Sequence, residues 1–490
     1  MENKCDHSGE AEVLVPKLIS QVRNENRTID RMLESDLTVD EWIKSESEKL
    51  KKNSLNNPIL CKEDFTDIAS DYVSERLGRK EAEETGRALS LRALHTANHL
   101  GGFYSAQSFQ GDLFFTRLLS GMSKDITVIP ILTYGCVPLI SSTYARGIIT
   151  YTETCEALHI PIFPKKPTGA IATLTNGFDR GLVTRARDKA LPKINRYIVK
   201  KEVKRIFNEL YLREDILSLD RFPDQAFFIG KGLMDRIPQL TGGKSLIYLE
   251  AEELFARLII KDIEGKDSIL YELLSNVLYV KRLNELYDLE GRSLASLLFR
   301  GCDEEKRYFI LKLDEDGYLR GRKINGETVT ISMKPEVLKE KLLQKEIIPD
   351  VYLSWFLTGF MRGFSFFGGV FQSCYLPDWQ KLTLSALRYC GYHDLADAAE
   401  DYDFSGYISG PIVMLFDTGE GAVNAGPIEV LAKMPNEDRF LRLLKTNIRN
   451  AHEMGMFEFY NDLISAEDKS EGWYESIARY SKARFSANIL

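Results

Sequence analysis

Apolar positions follow two rhythms along the chain, and the change between them divides it. Over residues 1–84 they recur at helical spacing amid dense charge, with Val13, Leu14, Val15, Leu18 and Ile19 opening one helix. Thr38 and Glu41, just ahead of Trp42 and Ile43, have the spacing of a capping box and mark a second start. A third helix is expected over 62–77, ended by Gly78. This block reads as a helical N-terminal arm.

Over 85–249 short apolar runs take over. The segments 126–133, 147–151 and 246–249 have the continuous apolar character of buried strands. Gly135-Cys136-Val137-Pro138 breaks the first of them, and Gly and Pro cluster from 161 to 181 in what reads as a long functional loop. Helix returns over 194–219 with Lys and Arg on one face. The segment 250–345 begins as helix and turns into a three-stranded meander at 308–313, 318–323 and 328–332, its last turn the hairpin signal Asn325-Gly326. Over 346–490, an aromatic run at 364–371 reads as core packing, an apolar strand is expected at 412–416, and helix follows over 436–463. Strands interleaved with long helices predict an α/β or α+β fold. Its central mixed sheet is flanked by helices and formed in two halves by 85–249 and 346–490, with 1–84 and 250–345 as additions.

Composition narrows the function classes. A chain of 490 residues exceeds what one hydrophobic core usually organises. Basic side chains number 64 against 72 acidic, a net charge of -8, which argues against a nucleic-acid partner. No apolar run approaches the roughly 20 residues that span a bilayer, so no membrane partner is expected. The first residues are polar and acidic, without the apolar centre of a signal peptide. Seven scattered cysteines with no CxxC pair suit free thiols in a reducing, cytoplasmic setting. A homo-oligomer is compatible with all of this.

The densest chemistry lies in His95-Thr96-Ala97-Asn98-His99, ahead of Gly101-Gly102, in a chain with six histidines. Read as the last turns of a helix, His95 and His99 stack on one face and can share a ligand or a proton. A divalent metal such as zinc would need a third ligand, for which Asp112 is the nearest supplier. The Glu of H-E-x-x-H is missing, since Thr96 follows His95. Alternatively Arg92, one helical turn earlier, would join the two histidines and Asn98 around a carboxylate or phosphate, with one His as general acid or base. Histidines in a last helical turn also occur for structural reasons, favoured by the helix dipole.

Other candidates are single features. Asp417 follows an apolar run in Asp417-Thr418-Gly419, but aspartic-protease chemistry needs two such carboxylates. Arg146 and Arg180 each sit beside a glycine, as anion-binding arginines often do, and Gln372 follows the aromatic run where it can face a pocket. Thr241-Gly242-Gly243-Lys244-Ser245 is no P-loop, because Pro238 stands where the first Gly belongs and a strand follows. No Rossmann dinucleotide fingerprint appears. Cys136 has no histidine partner nearby.

These features predict a cytosolic enzyme of small-molecule metabolism, a transferase or hydrolase acting on an anionic metabolite. His95 and His99 would do acid–base or metal work, with Asp112 orienting or ligating. Arg92, Arg146 and Arg180 would hold the anion, with Asn98, Gln372 and Asp417 as further substrate contacts. The alternative is a non-catalytic binding or scaffold protein with structural histidines.

Overall fold

Val128–Tyr134 is buried at every position, which a strand achieves only when both faces of its sheet are covered. The computed structural model describes residues 8–25, 27–55, 63–139, 147–164, 169–266, 268–289, 298–314, 316–463 and 472–490. Its central sheet has five strands: β1 (Ala93–His99), β2 (Val128–Tyr134), β3 (Ser245–Glu250), β4 (Ser365–Gly368) and β5 (Ser405–Tyr407). They lie in the order β5–β4–β1–β2–β3, and every neighbouring pair is parallel. The class is the expected mixture of helix and sheet. Among the described residues, antiparallel strand pairs lie in other sheets, one of them also five-stranded.

Alternate residues feed two cores. Ile129, Ile131, Tyr248 and Phe367 pack on one face with the Ala106–Met122 helix. Val128, Leu132, Leu249 and Phe366 pack on the other with helices Asp64–Leu77, Ala251–Glu264 and Gln372–Tyr389. The chain steps outward from β1 to β2 to β3, then returns so that β4 lies on the opposite side of β1. The order of strands thus reverses between β1 and β4. In open α/β sheets, the crevice at the carboxyl ends of such a pair is where ligands bind.

The N-terminal helices pack onto this framework. Thr38 and Glu41 form the expected box: Thr38 N–H donates to Glu41 Oε2 at 2.9 Å and Glu41 N–H to Thr38 Oγ1 at 3.3 Å. The helix they start, Val39–Leu55, lies on Ala106–Met122, with Ser47 Oγ donating to the Leu118 carbonyl at 3.0 Å. The meander falls at Tyr308–Leu313, Tyr318–Arg322 and Thr328–Ser332, within a five-stranded antiparallel sheet. No helix of the described residues is long and apolar enough to cross a membrane.

Two expectations are corrected. Residues 93–99 form a strand, not the end of a helix. The Arg79–Leu89 helix stops early and Arg92, at φ 56°, turns the chain. His, Thr and Asn are weak helix formers, and pairing with β2 on one side and β4 on the other decides the outcome. The strand expected at 412–416 is reduced to Leu415–Asp417, which pairs with Ala422–Asn424 in a separate two-stranded sheet.

Candidate functional site at the carboxyl end of the sheet

β1 carries buried polar side chains where it lies beside β4. Residues three apart on a regular strand face opposite ways. A shift in register between His95 and Asn98 brings both onto one carboxylate, Asp112. Asn98 Nδ2 donates to Asp112 Oδ1 at 2.8 Å, and Tyr248 on β3 donates its hydroxyl to Oδ2 at 2.8 Å. His95 Nδ1 lies 3.2 Å from Asp112 Oδ1, off the line of a well-aligned hydrogen bond. The other imidazole nitrogen, Nε2, is 3.1 Å from Ser409 Oγ. Serine, histidine and aspartate therefore stand in a row.

Three consecutive residues of the Ala106–Met122 helix build this row. Gln110 clamps the segment after Ser409, accepting from Val413 N–H and Met414 N–H and donating to the carbonyls of Met414 and Ala425. Gly111 leaves room for the serine: a Cβ there would stand 2.1 Å from Ser409 Oγ. Asp112 supplies the carboxylate. From the other side, the Gly368 carbonyl at the end of β4 accepts from Ile408 N–H and Ser409 N–H. His95 and Asp112 are fully buried and Ser409 is only 4% exposed. Burial and the adjacent carboxylate hold the Tyr248 phenol well above its ordinary pKa, so it stays a donor to Asp112. Gln372 accepts from Thr96 Oγ1 at 2.7 Å, bracing β1 against the start of the helix after β4.

The fold therefore assembles four of the expected residues, His95, Asn98, Asp112 and Gln372, around β1. His99 does not share a ligand with His95, because four residues of extended strand separate them by roughly 13 Å. Burial lowers the His99 pKa to about 3, so the ring is neutral near pH 7. Among the described residues no group of three His, Cys, Asp or Glu side chains is placed to hold a metal ion, and the expected His95–His99 zinc pair does not fit this geometry. Arg92 lies at the opposite, amino end of β1, where it pairs with Glu63 at 2.5 Å and packs over Phe364.

Arg180 forms an exposed pair with Glu214, and Asp417 is held by Lys482 at 2.9 Å in its turn. Neither takes part in the row. Arg146 lies outside the described residues. Burial pushes the Cys136 thiol well above its ordinary pKa, which removes thiolate character. Beside it, Glu252 accepts from Gly135 N–H and Cys136 N–H at the end of β2, and burial lifts its pKa to about 7.

Ser409 and Tyr248 are the members that sequence reasoning misses. They stand 314 and 136 residues from their partners His95 and Asp112, and neither belongs to a local motif. The one local signal beside Ser409 is the Gly410-Pro411 break ahead of the apolar run 412–416. Comparison with protein-family models, with curated proteins and with solved structures finds nothing that matches this chain, so the geometry alone carries the functional reading.

Proposed function

We propose that the protein catalyses acyl transfer, as a hydrolase or acyltransferase of a small-molecule ester or thioester. The observation that carries this reading is the row Ser409 Oγ, His95 Nε2, His95 Nδ1, Asp112 Oδ1, with separations of 3.1 Å and 3.2 Å. In this reading Asp112, which as a carboxylate only accepts, selects the tautomer with the proton on Nδ1, and Nε2 is left to accept from the serine hydroxyl. A nucleophile within reach of a base that a third group orients is the arrangement of nucleophilic acyl transfer. Catalytic contacts in an unliganded site are often loose and tighten with substrate bound.

In the reaction Ser409 Oγ attacks the acyl carbon while its proton passes to His95 Nε2. The tetrahedral adduct collapses, its bond to the leaving group breaks, and the leaving group takes that proton. Water or an acceptor alcohol then attacks the acyl-serine and hands its proton to His95 Nε2, which returns that proton to Ser409 Oγ as the acyl–oxygen bond breaks, leaving the serine hydroxyl and the neutral imidazole as they began. Asp112, held by Asn98 and Tyr248, keeps the ring oriented throughout. The row is closed to solvent, so each turnover requires an opening step, and slow turnover limited by that step is expected.

The same burial favours a second reading, in which the row is a satisfied polar lock in a non-catalytic binding protein. Nitrophenyl esters of graded acyl length distinguish the two when wild type is assayed beside Ser409→Ala and His95→Ala. Acyl transfer predicts turnover that falls by about 10³-fold or more in each variant, with Ser409→Ala still folded by circular dichroism. A polar lock predicts no turnover by the wild type.

A further inference from the structure

Residues 180–205 hold ten basic and two acidic side chains, a local charge of +8 in a chain whose net charge is -8. Their first part, the Arg180–Ala190 helix, faces the Ala157–Pro161 strand across a cavity of about 520 Å³. Leu158, Ile160, Ile162, Phe163, Leu182 and Ala186 give it apolar walls. Arg185, Lys189 and Lys193, four residues apart in succession, line one side. Their neighbours Arg180 and Arg187 are engaged with Glu214 and Asp188. Among the described residues Arg185, Lys189 and Lys193 have no such partner. All three are exposed, so their charge meets whatever occupies the groove.

An apolar trough of this volume with a few polar groups at one side matches the usual design of a small-ligand site. Its cations set the sign of the ligand. A neutral apolar molecule would leave them unused, and a compact anion would leave the trough wet. We infer that this groove binds a single-chain anionic amphiphile, a long-chain carboxylate whose hydrocarbon lies along Ile160, Ile162 and Leu182 and whose headgroup meets Arg185, Lys189 and Lys193. This site shares no residue with the Ser409 row and stands independently of it.

Isothermal titration of the full chain with hexadecanoate and hexadecanol, both held below their aggregation limits, tests the assignment. Hexadecanoate should bind on the order of tenfold more tightly than hexadecanol, the scale of one charge-assisted hydrogen bond. The double variant Arg185→Glu/Lys189→Glu, confined to exposed side chains, should abolish that preference while hexadecanol binding persists. Ala186→Phe, which fills the trough, should weaken both ligands. The inference is overturned if hexadecanoate does not bind, if the charge-reversed protein keeps the preference, or if the protein binds only to vesicles containing an anionic phospholipid and not to the monomeric carboxylate.

Discussion

The two ends of the β1–β4 pair hold buried polar clusters of opposite character. At the amino end Arg362, fully buried, donates to Asp64 at 2.7 and 2.8 Å, to Asp262 at 2.9 and 3.1 Å, and to the Leu357 carbonyl at 2.9 Å. At the carboxyl end a single carboxylate, Asp112, is held by the neutral donors Asn98 and Tyr248 and faces an imidazole that also reaches a hydroxyl. A guanidinium keeps its charge at any working pH, so the first cluster can only hold the chain together. An imidazole between a hydroxyl and a carboxylate is the part of the second cluster that, under the proposed function, passes a proton between Ser409 and a leaving group. Burial alone does not separate structure from chemistry here. What separates them is whether a group in the cluster has a proton to exchange.

The largest stability effect belongs to the amino end. Arg362→Ala leaves Asp64 and Asp262 buried without their shared cation and should cost about 3–5 kcal/mol in urea unfolding. Ester turnover per folded molecule should be unchanged. If Arg362→Ala abolished turnover in protein that remained folded, the division between the two ends would fail.

A smaller, pH-dependent effect belongs to the carboxyl rim. Glu252 has its pKa raised to about 7 from an ordinary 4.5, so the folded state holds this proton more tightly than the unfolded chain. Its contribution to stability is full below about pH 4.5 and is lost as pH rises through about 7, a change on the order of 3 kcal/mol. Unfolding midpoints measured from about pH 5 to about pH 8 should show this decline, and Glu252→Gln should remove its share, leaving that of Glu429, whose buried carboxyl is likewise raised to about 7. The Arg362 cluster should add no slope over the same range.

The smallest effect sharpens the assignment of roles around Asp112. Tyr248→Phe removes one of the two donors at 2.8 Å on that carboxylate and should cost about 1–2 kcal/mol. Because Tyr248 acts by positioning Asp112, kcat for an ester should fall with little change in KM, whereas a purely structural tyrosine would leave both as they were.

The features legible in the sequence were those written in short-range pattern. The meander showed through its Asn325-Gly326 turn, the second helix through the Thr38–Glu41 box, and the β2 and β3 strands through unbroken apolar runs. His95 and Asp112 could be paired in advance because only 17 residues lie from one to the other. Their surroundings could not. A central parallel strand buried on both faces lacks the alternation that identifies a strand, so 93–99 passed for helix and β4 for an aromatic filler. Arg92 seemed a natural companion of His95 while the segment was read as helix. On a strand the same three-residue step carries it to the other end of the sheet. Ser409 reaches His95 only because β5 lies beside β4, and strand order is a property of the assembled fold.

The central claim is that His95 activates Ser409. A fluorophosphonate probe, which captures only an activated serine, tests it by mass spectrometry of the intact protein followed by peptide mapping. One adduct per chain, placed on the peptide bearing Ser409, absent in Ser409→Ala and strongly slowed in His95→Ala, is the result this account predicts. No adduct after prolonged exposure, or an adduct on another residue that persists in Ser409→Ala, would contradict it and leave the row as a polar lock at the switch in strand order.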